Sequence, residues 1–541
     1  MSSRLKQLLW VLLPLGLLVV VAGMQVDVME VDSAQYASIA REMLHNGSWL
    51  EIYEHNQTYN SRGFPDKPPL VFWTGAAGMW LLGENNIGFK LFSVLAALIG
   101  IYAVGRWAQL LYGDAAKLPA MLFAGLNVGM LLMLQDIRTD TLLVGMLSLS
   151  LWQFEAYFRN SSKTAFVVAF VALALAMLAK GPIALVAVIV AFGGDLLVRG
   201  DWQRLFRKEW LLGLGIVLLL LSPMLYGLYH QWGWEKGIKY YFWTQSFGRI
   251  TGENVWKNDL GPLFLVETYL WAYLPWVPLM LMAIWAAIQQ KAKFFRMKGG
   301  WAAPIGFVLL FVAMSTSQYK LPHYIYIVWP FAAIWLSGWY VQLSNKKISQ
   351  HVLVAFCSIL FVISAIMLFY VSQANIWLAG FVTLCMVLLA WRYWKSEDTD
   401  LQLFGPASMA FLYLGMVANF WFYPMLLQYQ ASSEGGKWVQ QNLNEQTCYY
   451  FDLQNHSTHA LHFYSRQVIP MLSNLDQLPT NKRTYIYTTQ SGLEAIQASG
   501  LNHNIRQELP SFKVTHLSGP FLNPATRKET LEKHYILSVS P

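Results

Sequence analysis

Pro68-Pro-Leu-Val-Phe-Trp-Thr-Gly-Ala-Ala-Gly-Met-Trp-Leu-Leu82 is apolar from end to end, yet it is only about 15 residues long and opens on two prolines. A helix needs roughly 20 apolar residues to cross a bilayer. Whether this run crosses therefore decides the sidedness of everything that follows it.

Further apolar runs recur at 8–26, 86–111, 116–134, 139–158, 164–179, 181–198, 209–230, 262–289, 302–316, 322–343, 350–372, 375–394 and 403–425. They predict about 13 membrane helices. The first, after Arg4 and Lys6, lacks a small-x-small cleavage pattern and reads as an uncleaved helix. With a cytoplasmic N-terminus and 68–82 left as a re-entrant or interfacial segment, the inner loops hold Lys117; Arg159 and Lys163; Arg199, Arg204, Arg207 and Lys208; Lys291, Lys293, Arg296 and Lys298; Lys346 and Lys347; Arg392 and Lys395. The basic clusters of the short turns then share one side, as orientation by Lys and Arg requires. Counting 68–82 as a span breaks the pattern. The expected topology has an odd number of spans and an external C-terminus.

Composition fits. Of 541 residues, 56% are hydrophobic and 13% charged, and 24 are Trp, as suits interfacial belts. The net charge of +8 is spread over alternating loops, which speaks for membrane orientation and against a nucleic-acid partner. Cys357, Cys385 and Cys448 form neither a disulfide framework nor a metal-ligand spacing. Residues 430–541 differ in kind. β-rich stretches at Cys448–Leu453, Thr484–Thr489, Phe512–Ser518 and Tyr535–Val539, with helices at Glu434–Leu443 and Gly492–Ala498, predict a small external α/β domain beside a membrane domain of residues 1–429.

The outer loops carry few charges, mixed in sign and set at helix ends, where ionisable groups suggest a functional site. Glu30-Val-Asp32-Ser-Ala-Gln-Tyr36 leads into an amphipathic stripe of Tyr36, Ile39, Ala40, Met43 and Leu44, which predicts a helix lying on the outer membrane surface. The plainer reading of Asp32 is an N-cap, with Gln35 completing a capping box. Lys67, before Pro68-Pro69, is suited to a phosphate or, more plainly, to anchoring at headgroups. Arg138-Thr-Asp140 sits in a short turn, where Arg138 has Asp136 or Asp140 as a simple ion-pair partner. Lys180-Gly-Pro, Phe247-Gly-Arg249 and Lys320-Leu-Pro-His323-Tyr324 are each weak alone. Together, Asp32, Lys67, Arg138, Asp140, Lys180, Arg249, Lys320 and His323 come from six connections and fall on one face. Cations there could stabilise a phosphate leaving group, and a carboxylate could take an acceptor's proton.

The ordered set Glu30-x-Asp32-x-x-x-Tyr36 with Ala40-Arg41-Glu42-Met43, Lys67-Pro-Pro-Leu with Trp73, Arg138-Thr-Asp140, Lys180-Gly-Pro, Phe247-Gly-Arg249 with Gly252 and Leu274-Pro275-Trp276, and Lys320-Leu-Pro-x-Tyr324 resembles the lipid A aminoarabinose transferase (ArnT)-like branch of the GT-C glycosyltransferases, relatives of the protein O-mannosyltransferases. The resemblance covers residues 8–345 well and the rest by layout. It implies an α-helical polytopic GT-C fold with about 13 spans, two juxtamembrane helices in the first external loop (27–85), at 33–46 and 68–82, and a small C-terminal periplasmic domain. It implies an inverting transfer from a sugar on undecaprenyl phosphate at the periplasmic face of a bacterial inner membrane, to lipid A, protein or another envelope glycan. By the same resemblance Asp32 and Asp140 form the acidic pair, Asp32 activating the acceptor. Lys67 and Arg249 hold the donor phosphate, with Lys320 and Tyr324 nearby and Glu30, Tyr36, Arg138, Lys180 and His323 completing the substrate site. Expected cofactors are none, with no catalytic metal, and the chain is expected to be a monomer among membrane lipids.

The chain departs from the pattern at Ser33, where many relatives carry Glu, and after Gly252, where Glu253-Asn254-Val-Trp-Lys257 replaces a stretch that often has histidine. A transporter or lipid-linked sugar flippase is the alternative; it predicts charges near the bilayer midplane rather than at one face. A third reading is a pseudoenzyme that keeps the fold.

Overall fold

The computed structural model describes residues 3–54, 64, 66–248, 258, 260–289, 300–443, 447–454, 456, 458–479 and 483–540. Every apolar run of the sequence is helical where described. The chain begins with helices α1 (Ser3–Gln25), α2 (Asp32–Asn46), α3 (Leu70–Leu82), α4 (Asn86–Tyr112), α5 (Asp114–Gly125), α6 (Val128–Gln135), α7 (Thr139–Asn160) and α8 (Lys163–Lys180). Among the described residues, 8 helices are long and apolar enough to cross a membrane, or up to 10 if two bent pairs each count once. One pair is α5 and α6, bent by 61°. The other is Phe264–Ala272 with Val277–Gln289, bent by 118°, so the expected run 262–289 is two helices rather than one straight one.

α2 and α3 are the two juxtamembrane helices. The predicted stripe on α2 is buried at Tyr36, Ile39, Ala40 and Met43. α3 buries Leu70, Val71, Phe72, Gly75 and Met79, and exposes Trp80, Leu81 and Leu82 at its far end. At 13 residues it is shorter than the roughly 20 that a straight span needs.

Small residues set the central crossing. α4 and α7 touch at Gly100 and Gly145, where a Cβ on Gly145 would sit 2.3 Å from the Ala96 carbonyl oxygen. Backbones approach this closely only when the interface residues are small. Gly145→Val is therefore expected to destabilise the bundle by about 1–3 kcal/mol through overpacking, read as a lower thermal midpoint in detergent. An unchanged midpoint would show that α4 and α7 can part at little cost. The charged cluster described below lies at the start of α7, and Arg159 pairs with Glu155 at its other end.

After the last long helices, four strands form one sheet in the order β1-β2-β4-β3, with β1 (Cys448–Phe451) parallel to β2 (Thr484–Thr489), and β4 (Glu532–Val539) antiparallel to both β2 and β3 (His503–Ser511). The expected strand at Phe512–Ser518 is a correction: the strand ends at Ser511. Phe512 instead stacks on Phe521 at 3.8 Å, and Val514 joins a core formed with Phe422, Tyr423 and Leu426. Its apolar residues are buried against the ends of membrane helices, not in the sheet.

Candidate active site

Asp32 opens α2, but it does not cap it. The cap position is Val31, and no side chain accepts from the first turn. The Asp32 carboxylate turns away to Arg138 Nη1 at 2.6 Å, and Gln35 turns to Glu54 Oε1 at 2.6 Å. The expected capping box is thus replaced by two tertiary contacts. A charged partner outweighs a neutral backbone N–H as a hydrogen-bond donor.

Arg138 lies in the turn before α7. Its Nε donates to Asp136 Oδ2 at 2.9 Å, so one guanidinium bridges two carboxylates. Burial works against its charge, but Asp136 and Asp32 outweigh it and hold the proton more firmly than usual. Nη1 also lies 3.2 Å from His323 Nδ1. Arginine can only donate, so this contact needs Nδ1 as acceptor and places the ring proton on Nε2. That atom faces Asp140 Oδ2 at 3.8 Å.

Asp140 sits in the first turn of α7, where the helix dipole favours a carboxylate, and Lys180 ends α8, where it favours a cation. The two pair through Asp140 Oδ1, and the Lys180 ammonium lies 4.6 Å from the centre of the Tyr324 ring. Asp140 is 2% exposed; among the described residues its Oδ2 has no hydrogen-bond partner. Tyr36 is buried, its ring edge-on to Phe72 at 5.8 Å. Burial, then the nearby Asp32, push its phenol well above the ordinary value, so it stays protonated.

Lys67 pairs with its neighbour Asp66, which also accepts from the Tyr240 hydroxyl at 3.3 Å. It lines a narrow, partly open cleft with Leu50, Ile52, Pro69, Met224 and Leu228. An ammonium at one side of an apolar wall suits a lipid with a phosphate head.

Two predicted residues are engaged elsewhere. Glu30 Oε1 accepts from Ala460 N at 2.7 Å and Ser432 Oγ at 3.2 Å, tying the first loop to the C-terminal part. Lys320 is 6% exposed and donates from Nζ to the Leu260 carbonyl at 2.9 Å, fastening its turn to 258–260. In each case the charged side chain meets a fixed polar partner close at hand. Arg249, the 250–257 stretch and 291–298 lie outside the described residues. Among the described residues, no group of three or more His, Cys, Asp or Glu is placed to hold a metal.

Sequence reading missed Glu54 and His459. His459 Nε2 lies 3.4 Å from Glu54 Oε1, and both side chains are nearly buried. Neither sits in a motif, and they come from opposite ends of the chain, so no local signal marks the pair.

Known proteins share this arrangement of helices. The structure superposes on ArnT from Cupriavidus metallidurans bound to undecaprenyl phosphate with a TM-score of 0.78, covering 99% of this chain and 98% of that one at 17% identity. Its fold is that of this ArnT. The apo form of the same ArnT gives a TM-score of 0.76 at the same coverage. Residues 66–226 match the family described as dolichyl-phosphate-mannose-protein mannosyltransferase. Sequence relatives of this ArnT-like chain include the undecaprenyl phosphate-alpha-4-amino-4-deoxy-L-arabinose arabinosyl transferases of Edwardsiella ictaluri, 26% identical over 58% of the chain, and Shewanella sediminis, 28% identical over 67%. The matched regions span 56% and 64% of those relatives' own lengths. By length and apolarity, several helices of this chain can each cross a membrane.

Proposed function

We propose that this chain is an inverting glycosyltransferase that moves a sugar from undecaprenyl phosphate to an acceptor at the periplasmic face, the acceptor being lipid A, a protein or another envelope glycan. The observation that carries this reading is the meeting, on one membrane face, of Asp32 held by Arg138 and Asp140 held by Lys180. The cleft that runs past Lys67 supports it. On this reading the N-terminus is cytoplasmic, residues 1–429 form the transferase domain, and residues 430–541 form a periplasmic domain. The chain works as a monomer.

The acceptor hydroxyl or amine attacks the anomeric carbon as the sugar–phosphate bond breaks on the opposite side, which inverts that carbon. Asp32 takes the proton that the acceptor loses. Arg138 fixes the direction of its carboxylate, and Asp136 shares the charge of Arg138, so one Asp32 oxygen remains available. Lys67 stabilises the negative charge left on the prenyl phosphate, with Arg249 as second cation. Asp66 keeps the Tyr240 hydrogen bond when Lys67 turns to the phosphate. Asp140, with Lys180, His323 and Tyr324, receives hydroxyls of the sugar. Lysine and arginine supply the positive charge here, so the reaction needs no catalytic metal.

The test is transfer of label from radiolabelled undecaprenyl-phosphate sugars into a membrane extract by purified protein. Label moved by wild type supports the reading. No transfer from any donor, alongside lipid scrambling in proteoliposomes, would replace it with a transporter. Lys67→Ala should raise the donor KM about tenfold or more, the worth of one charge-assisted contact to phosphate, with the acceptor KM unchanged. An unchanged donor KM would remove Lys67 from the donor site.

A further inference from the structure

The C-terminal part reaches the segment that carries Asp32 at several points. Gln430 Nε2 donates to the Val28 carbonyl at 2.9 Å, and Glu30 N donates to Gln430 Oε1 at 2.9 Å. Ala460 N holds the Glu30 carboxylate at 2.7 Å. Next to Ala460, His459 reaches inward. Its ring is 5% exposed and its Nε2 lies 3.4 Å from Glu54 Oε1, itself on a side chain 6% exposed. The same Glu54 oxygen accepts from Gln35, one helical turn on from Asp32, at 2.6 Å.

We propose that Glu54 and His459 are positioning residues for Asp32, and that the C-terminal part thereby completes the active site. The inference rests on the glycosyltransferase reading. Two contacts orient the first turn of α2: Arg138 holds it through Asp32, and Glu54, with His459 packed 3.4 Å from the same oxygen, holds it through Gln35. With both in place the Asp32 carboxylate has one direction, toward the acceptor. A misplaced group near the reacting atoms can cost up to about a hundredfold in rate.

Glu54 acts here as a hydrogen-bond acceptor for Gln35. Burial raises its carboxyl above the usual value and brings His459 down to about 4. Glutamine keeps the accepting oxygen, and alanine removes it.

The experiment uses the full chain in detergent, with labelled undecaprenyl-phosphate sugars and a membrane extract for turnover, and undecaprenyl phosphate alone for binding. Glu54→Ala and His459→Ala are expected to lower kcat tenfold or more, with undecaprenyl phosphate binding within twofold of wild type. Glu54→Gln should recover most of the turnover, which a purely electrostatic role would not allow. If either alanine variant fails to fold, Gln35→Leu breaks the same chain from the α2 side and should show the same loss. Wild-type turnover in Glu54→Ala, or a Glu54→Gln variant as slow as Glu54→Ala, overturns the proposal. Absence of transfer by wild type itself overturns the functional reading instead, so the two failures are separate.

Discussion

Asp32→Asn is expected to lower turnover about 10²–10⁴-fold, the usual contribution of a positioned base, while undecaprenyl phosphate still binds. The substitution keeps the shape of the side chain and removes its basicity. Arg138 Nη1 can still donate to the amide oxygen of the substituted side chain, replacing the 2.6 Å contact to the carboxylate. The guanidinium also keeps Asp136 at 2.9 Å, so its charge is not stranded. Folding should therefore survive, and a lower kcat would report on chemistry. The donor site is untouched, since Lys67 pairs with Asp66 rather than with Asp32. Turnover of labelled donor, set beside undecaprenyl phosphate binding by tryptophan fluorescence, reads the two effects separately. Unchanged turnover in Asp32→Asn, with turnover lost in Asp140→Asn, would move the base to Asp140.

The architecture was legible because membrane helices announce themselves by length and apolarity. Pro68–Leu82 was readable as a short helix because two prolines open it and a glycine follows it, and the helix found there runs Leu70–Leu82. Arg138, Asp140 and Lys180 were readable because charges at the ends of apolar helices are few, and the structure brings these three together around His323. Their pairing was less so. Arg138 had two acids beside it in sequence, and the choice of Asp136 and Asp32 over Asp140 depends on how α7 begins and where α8 ends. Glu30 shows the limit more sharply. It is two residues from Asp32, yet it bonds to Ala460 because the first loop turns it toward the C-terminal part. Glu54 and His459 were invisible for the same reason, since a contact between distant segments leaves no spacing to read. The strand at 503–511 was misplaced by a few residues because Phe512 and Val514 are apolar on account of the membrane helices they touch.

The second large effect is on stability. Lys180→Met should destabilise the fold by about 3–5 kcal/mol, the cost of leaving one member of a buried ion pair without its partner. Asp140 is 2% exposed, and among the described residues the other cationic candidate within 4 Å of it is His323 Nε2 at 3.8 Å. Asp140→Asn should cost less. It strands Lys180, but that side chain is 20% exposed and rests against the Tyr324 ring, so water and the ring face still solvate the ammonium. Removing both charges, in Asp140→Asn with Lys180→Met, should restore much of what Lys180→Met loses, because no unpaired charge remains buried. The order of thermal midpoints is then wild type, Asp140→Asn, and last Lys180→Met, with the double variant above Lys180→Met. Strictly additive losses would show that the two groups do not depend on each other. Turnover should not follow stability: the double variant folds but lacks the carboxylate that receives the sugar, so it stays slow. A double variant that regained both would mean that the pair holds α7 against α8 and has no part in the reaction.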